Sequence, residues 1–124
     1  MTDEEARNLA AVDHWEATYN DDVERMVDEC YAPDCEVHNM LAGPEAVYRG
    51  REALREIERQ IQRAQIDRRM LVVSKFASGN RVAVEAEGVF GEHRFPACVI
   101  LTFDDAGLIR TDHTYSPDPT GLTR

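Results

Sequence analysis

The chain has 124 residues, 43% of them hydrophobic and 31% charged, which suits one compact domain over 1–124 and leaves little room for two. Acidic residues outnumber basic ones 24 to 14, a formal net charge of −10 that argues against nucleic acid or an anionic membrane as the partner. No apolar run approaches the roughly 20 residues that span a bilayer, and the acidic start Thr2-Asp3-Glu4-Glu5 is the opposite of a basic secretion signal, so a soluble, cytoplasmic protein is expected.

Helices come first and strands afterwards. From about Asp3 to Tyr19 the residues are good helix formers, and Leu9, Val12, Trp15 and Tyr19 fall within an arc of about 120° at helical spacing. Asp21, three residues before Glu24, reads as a capping-box-like start. Val23, Met26, Val27, Cys30 and Tyr31 then repeat on one face, and Ala32-Pro33-Asp34 ends this second helix. A short strand is expected over Cys35–Met40, then a loop through Gly43-Pro44, then a third helix from about Gly50 to Gln65 with Leu54, Ile57, Ile61 and Ala64 as its buried stripe. Arg51, Arg55, Arg59 and Arg63 recur at every fourth position of that helix. Glu52, Glu56 and Glu58 are interleaved at spacings that pair with them, so a solvated face is favoured over a basic binding face. The cysteines, Cys30, Cys35 and Cys98, are odd in number and lack a CxxC spacing, and read as buried free thiols.

From Asp67 onward the period switches to alternation, with turn signals at Ser78-Gly79-Asn80, Gly91-Glu92 and Asp105-Ala106-Gly107. Four long antiparallel strands are expected, at about 68–77, 81–90, 94–104 and 108–115. Val82, Val84, Ala86, Gly88 and Phe90 share one face of the second, and Glu85 and Glu87 take the other. In the third, Phe95, Ala97, Val99, Leu101 and Phe103 form the core face, while Cys98 and Ile100 leave the opposite face partly apolar. Helices can cover only one side of the sheet, so a homodimer through the outer sheet face is expected. Ala86, Gly88 and Ala97 are small where a filled core would carry Phe or Leu, which leaves room for a cavity. Trp15, Tyr19 and Tyr48 are the side chains that would otherwise fill it.

Trp15 through Asn20, Tyr31-Ala32-Pro33-Asp34, Tyr48-Arg49-Gly50-Arg51-Glu52-Ala53, and Gly107-Leu108-Ile109-Arg110 leading into Tyr115 together resemble the nuclear transport factor 2-like superfamily, above all its SnoaL-like and ketosteroid isomerase-like branches. The resemblance spans nearly the whole chain. It implies an α+β fold in which three N-terminal helices pack on a strongly curved antiparallel sheet, a cystatin-like cone with one pocket, commonly dimeric. Members include isomerases, dehydratases, cyclases, epoxide hydrolases and proteins without catalysis, so the fold does not choose the chemistry. At the positions where ketosteroid isomerases carry a helix tyrosine, a proton-moving carboxylate and a protonated aspartate, this chain has Trp15, Asn39 and Val99. An amide is no base, and that mechanism is not expected. The Asp-Arg-Asp set and tyrosine of limonene epoxide hydrolase-like members fall on Ala86, Gly88, Thr114 and Val37, with only the asparagine matched, in Asn39-Met40. SnoaL-like cyclases place their base near the end of the last strand, where the aligned residue is Thr114 and Asp112 lies one pleat away.

Strand alternation in the family's register turns Arg110, Asp112 and Thr114 toward the cavity. The opposite register would present Ile109, Thr111, His113 and Tyr115. A carboxylate walled by Val84, Ala86, Val99 and Leu101 loses hydration, and its pKa rises toward acid–base use. A purely structural Asp112, paired with an arginine or a backbone donor, is the alternative. The expected catalytic set is Asp112 with Asn39, whose amide can hold a carbonyl or a water, and Thr114. The expected substrate-binding wall is Trp15, Tyr19, Val37, Met40, Tyr48, Val84, Ala86, Gly88, Phe95, Ala97 and Val99. His38 and His113 point away from the cavity in this register, and no histidine spacing suits a metal. Neither metal nor cofactor is expected, and no Gly-rich nucleotide motif is present. The function expected is cofactor-free isomerisation, dehydration or cyclisation of a small apolar or aromatic metabolite. The alternative is a non-catalytic binding or dimerisation module of the same fold.

Overall fold

The computed structural model describes residues 1–39 and 46–117. The element order is α1 (Asp3–Tyr19), α2 (Val23–Cys30), β1 (Tyr31–Asn39), β2 (Val47–Arg49), α3 (Arg51–Ala64), β3 (Arg69–Ser78), β4 (Arg81–Phe90), β5 (His93–Phe103) and β6 (Ile109–Tyr115). Three helices pack on one six-stranded sheet in the order β2-β1-β6-β5-β4-β3. This is the expected α+β cone, with one difference: β1 runs parallel to β6 while every other pair is antiparallel, so the curved sheet is mixed. None of the described helices is long and apolar enough to cross a membrane.

Local chemistry fixes the boundaries. Thr2 caps α1 in a full capping box with Glu5, and Asp3, Glu4 and Glu5 sit in the first turn, where negative charge suits the helix dipole. The α2 cap is Asp22 rather than Asp21, its Oδ1 accepting from the amides of Glu24 (2.9 Å) and Arg25 (3.3 Å). Gly79-Asn80 and Gly91-Glu92 make two-residue hairpin turns between the pairs Ser78–Arg81 and Phe90–His93. Both glycines have positive φ, 59° and 57°, as tight hairpins require.

Three departures from the sequence reading matter for the site. The helical stripe of α2 stops at Cys30, and Tyr31 opens β1 in extended geometry (φ −105°, ψ 142°). A register shift between Tyr31 and Glu36 absorbs Pro33. The short strand β2, pairing Val47–Arg49 with β1, lies where the sequence suggested only a loop. In β6 a bulge against β5, at Thr102/Phe103, throws Arg110 out to solvent while Ile109 and Asp112 both turn inward. Strict alternation, which placed Arg110 beside Asp112, fails at such an extra residue.

The core lies between the helices and the inner sheet face. Val12, Trp15, Met26, Val27 and Leu54 meet Cys35, Val37, Val82, Val84, Val99, Leu101 and Ile109. Ala86, Gly88 and Ala97 are buried too. The room at Gly88 is taken by the Phe95 ring across the strand pair, so close that a Cβ there would stand 2.2 Å from Cζ. The α3 stripe contains Leu54 and Glu58 as its buried members, with Ile57 and Ile61 half-buried and Ala64 exposed.

Candidate active site

Asp112 sits in β6 between Val37 of β1 and Leu101 of β5, and its residue is 4% exposed. Deep in an apolar sheet a carboxylate needs donors for both oxygens. Tyr31 Oη donates to Oδ2 at 2.7 Å and Thr114 Oγ1 donates to Oδ1 at 2.8 Å. Trp15 Nε1 in turn donates to Tyr31 Oη at 3.1 Å, so a chain of buried donors runs from α1 through Tyr31 to Asp112. The Tyr31 carbonyl accepts from Arg51 Nε (2.9 Å) and Nη2 (2.7 Å) at the start of α3. That two-pronged grip fixes the backbone from which the hydroxyl is aimed.

Burial pushes the Asp112 carboxyl above its ordinary pKa, with the Tyr31 and Thr114 hydrogen bonds pulling the other way. Burial also raises the Tyr31 phenol, and Asp112 adds to the effect. On the far side of the same space Glu58 is 7% exposed, with Oε2 buried and without a hydrogen-bond partner. Burial raises it to about 7; the positive charge of Arg68 lowers it and the negative charge of Asp112 raises it. Arg68, 5% exposed, donates from Nε to Tyr19 Oη at 2.7 Å, donates from Nη1 to Gln65 Oε1, and lies over the Phe95 ring.

These groups enclose a cavity of about 30 Å³ lined by Trp15, Tyr19, Tyr31, Val37, Asn39, Glu58, Ile61, Arg68, Met70, Val99, Asp112 and Thr114, a space on the scale of a single water. Tyr19 and Arg68 also line a far larger cleft, of about 530 Å³, between the α1–α2 turn and the end of α3. The cleft and the cavity therefore share a wall of two side chains.

The cavity brings together seven residues singled out in the sequence: Asp112, Asn39, Thr114, Trp15, Tyr19, Val37 and Val99. Val84, Ala86, Gly88, Phe95 and Ala97 are buried in the sheet but do not line it, and Tyr48 packs half-buried against the core. Met40 lies outside the described residues. As site residues, Tyr31, Glu58, Ile61, Arg68 and Met70 were missed by sequence reasoning. Of these, Glu58 carried a readable signal: it stands between Leu54 and Ile61 at 4- and 3-residue spacing, on the buried arc itself. Arg55, Arg59 and Arg63 of α3 pair instead with Asp28, Glu24, Glu52 and Glu56. His38 and His113 stack on the outer face at 4.2 Å, and no group of three or more metal-ligating side chains occurs among the described residues.

Residues 8–111 match the SnoaL-like domain. The chain belongs to the SnoaL-like family. No curated protein matches it. Among solved structures, it is similar to a protein provisionally assigned as a SnoaL-like polyketide cyclase from Jannaschia sp. CCS1, with a TM-score of 0.85 and 13% identity over 99% of this chain and 93% of that one. A provisionally assigned ketosteroid isomerase from Kribbella flavida DSM 17836 superposes with a TM-score of 0.77 and 20% identity over 93% and 81%. A protein of ketosteroid isomerase-like fold from Catenulispora acidiphila DSM 44928, in complex with trimethylamine, gives 0.71 and 20% over 85% and 83%. At these identities the likeness is one of fold. The family match ends one residue before Asp112, so the acidic group must be judged on its own geometry.

Glu58 has a measurable signature. Its folded pKa of about 7 lies above its ordinary 4.5, so between those values the folded state keeps a proton that the unfolded state has released. The contribution of Glu58 to stability is therefore fully present below pH 4.5 and is lost as pH rises toward 7, by up to about 1.4 kcal/mol per pH unit. Glu58→Gln is expected to be near neutral at pH 4 and to melt several degrees above the wild type at pH 8. Parallel melting curves that keep the same separation at both pH values would contradict the burial of an ionisable Glu58.

Proposed function

We propose that this SnoaL-like protein is a cofactor-free enzyme that moves a proton within a small metabolite, as an isomerase, dehydratase or cyclase does. The single observation that carries this reading is a carboxyl group withdrawn from water, raised in pKa and aimed by two side-chain donors into the cavity, which is what a general base near neutral pH requires. Asp112 as carboxylate takes a proton from a carbon next to a substrate carbonyl, and the electron pair of the broken C–H bond moves onto the carbonyl oxygen as an enolate. Asn39, in register with Thr114, holds that oxygen through its amide. Asp112 then returns the proton to another carbon in an isomerisation. In a cyclisation the enolate carbon attacks a second carbonyl, whose oxygen takes the proton from Asp112. In a dehydration the enolate re-forms its carbonyl as a β-hydroxyl leaves with that proton as water. Trp15 and Tyr31 position the carboxyl, and Tyr19 bounds the path from the cleft. Proteins of this fold assigned as isomerase and cyclase, and one holding a small amine, support a small-molecule role.

The second reading, a non-catalytic ligand-binding or dimerisation module, is favoured by the smallness of the cavity, which admits a metabolite only if Tyr19 and Arg68 give way. Thermal-shift screening with steroid-like, terpene-like and aromatic polyketide-like compounds separates the two, because a ligand of the native state raises its melting temperature. The acid–base reading expects at least one stabilising compound to be turned over. Asp112→Asn should still fold and bind it while losing turnover about a hundredfold or more. Equal turnover by Asp112→Asn would remove Asp112 from the chemistry, and stabilising compounds that are never turned over would favour the binding module.

The proposal includes a homodimer through the outer sheet face. Phe76, Ala83, Ile100, His113 and His38 stand in one cross-strand row from β3 to β1, with exposed Cys98 and Tyr115 beside it. Phe76 is 69% exposed, an aromatic surface that a second copy would cover. Light scattering at about 100 µM should give twice the chain mass for the wild type and one chain mass for Ile100→Glu, since a charge in a desolvated apolar patch opposes association. A monomeric wild type would contradict the dimer.

A further inference from the structure

Arg68 presents a problem of charge that the proton-transfer site does not solve. A guanidinium removed from water is costly unless a carboxylate or other anion faces it. Arg68 is 5% exposed, yet its direct partners are a phenol, an amide oxygen and a ring face. Among the described residues no carboxylate forms an ion pair with it within 4.0 Å. The carboxylate that influences it through space, Glu58, lines the cavity with an unpartnered oxygen. Two of the five N–H groups of Arg68 are engaged, which leaves donors in the planar arrangement that grips a carboxylate by both oxygens.

Its position says from where an anion would come. Arg68 lines the large cleft as well as the cavity, and the cleft holds a second donor without an acceptor, the buried Gln62 Nε2. Of the other cleft arginines, Arg59 is paired with Glu24 and Arg63 with Glu56, and Arg69 is exposed to solvent, where its charge stays hydrated. Of the cleft's carboxylates, Asp21 is paired with Arg25 and Asp22 caps α2, while Asp67 precedes Arg68 and Arg69 in the chain. Among the cleft's described arginines, Arg68 is thus the one both buried and without an ionic partner. We propose that Arg68 is an anchoring site for the carboxylate of a small organic acid that enters by the cleft, with Gln62 as a second donor. The tail of such an acid points past Tyr19 toward Asp112. The inference deepens the acid–base reading and rests on it for the reacting end of the ligand, making the substrate class a carboxylic acid rather than a wholly apolar compound. Phe95 beneath the guanidinium, and Gly88 beneath Phe95, hold the anchor in place.

Calorimetric titration of the full chain with benzoate and hexanoate, against uncharged benzamide and hexanamide, tests this directly. Both acids are expected to bind at least about tenfold tighter than their amides. Arg68→Gln should abolish that difference, and Arg68→Lys should retain part of it. The Arg68 Nε–H resonance of the wild type should shift on adding benzoate, a readout that needs no variant to fold. Equal affinity for acid and amide, no binding of either acid up to about 20 mM, or an acid preference that survives in Arg68→Gln would overturn the anchor. Turnover of neutral compounds that depends on Asp112 would in those cases leave the acid–base reading standing. Acid binding through Arg68 without any turnover would leave the anchor standing and that reading unsupported.

Discussion

A carboxylate cannot stay inside a sheet unless something replaces the water it has lost, and the interior of this protein is organised around that demand. Asp112 takes one hydrogen bond from β1, through Tyr31, and one from its own strand, through Thr114. For Tyr31 to reach it, α2 must end at Cys30 and the chain must turn straight into β1. For the turn to hold, Arg51 at the start of α3 grips the Tyr31 carbonyl, and Trp15 of α1 supplies the donor behind the phenol. All three helices and two strands thus converge on one side chain. Donors satisfy the carboxylate without neutralising it, so it stays a group that can take a proton.

The remaining buried charges belong to the same economy of space. Glu58 and Arg68 face a cavity with room for about one water, without touching each other. Neither has the close ionic partner that buried charges normally take. An interior arranged only for stability would have joined them or replaced both with apolar side chains. Their separation keeps Glu58 titratable near neutral pH. Tyr19 and Arg68 then form the wall between a roomy cleft and the small cavity beside Asp112.

Most of this architecture was legible in the sequence. Helical spacing placed α1 and α3, turn residues placed three of the four sheet connections, and alternation placed β4 and β5 to within a residue of their observed ends. The inward aim of Asp112 was one of two open registers. Alternation suggested it, and the β6 bulge that expels Arg110 preserves it at Asp112 while breaking it one turn earlier. Glu58 was misread because glutamates interleaved with arginines look like surface pairs, although its spacing from Leu54 and Ile61 marks the buried arc. Tyr31 continued the α2 periodicity, so nothing local marked it as the first residue of a strand. Arg68 carried no signal: it follows the helix end in a short turn, and only tertiary packing carries it under Tyr19. At Gly88 a small residue was no sign of empty space, since Phe95 folds over it and fills it.

The most direct test of the central claim is an NMR pH titration of the carboxyl carbon of Asp112 in the intact protein. The account predicts a midpoint above the ordinary aspartate value of 3.8, with the Tyr31 hydroxyl proton shifting in the same transition because the two share a hydrogen bond. A midpoint at or below 3.8, with the tyrosine proton indifferent to it, would mean that Asp112 is an ordinary solvated or ion-paired carboxylate, and the acid–base site would not exist.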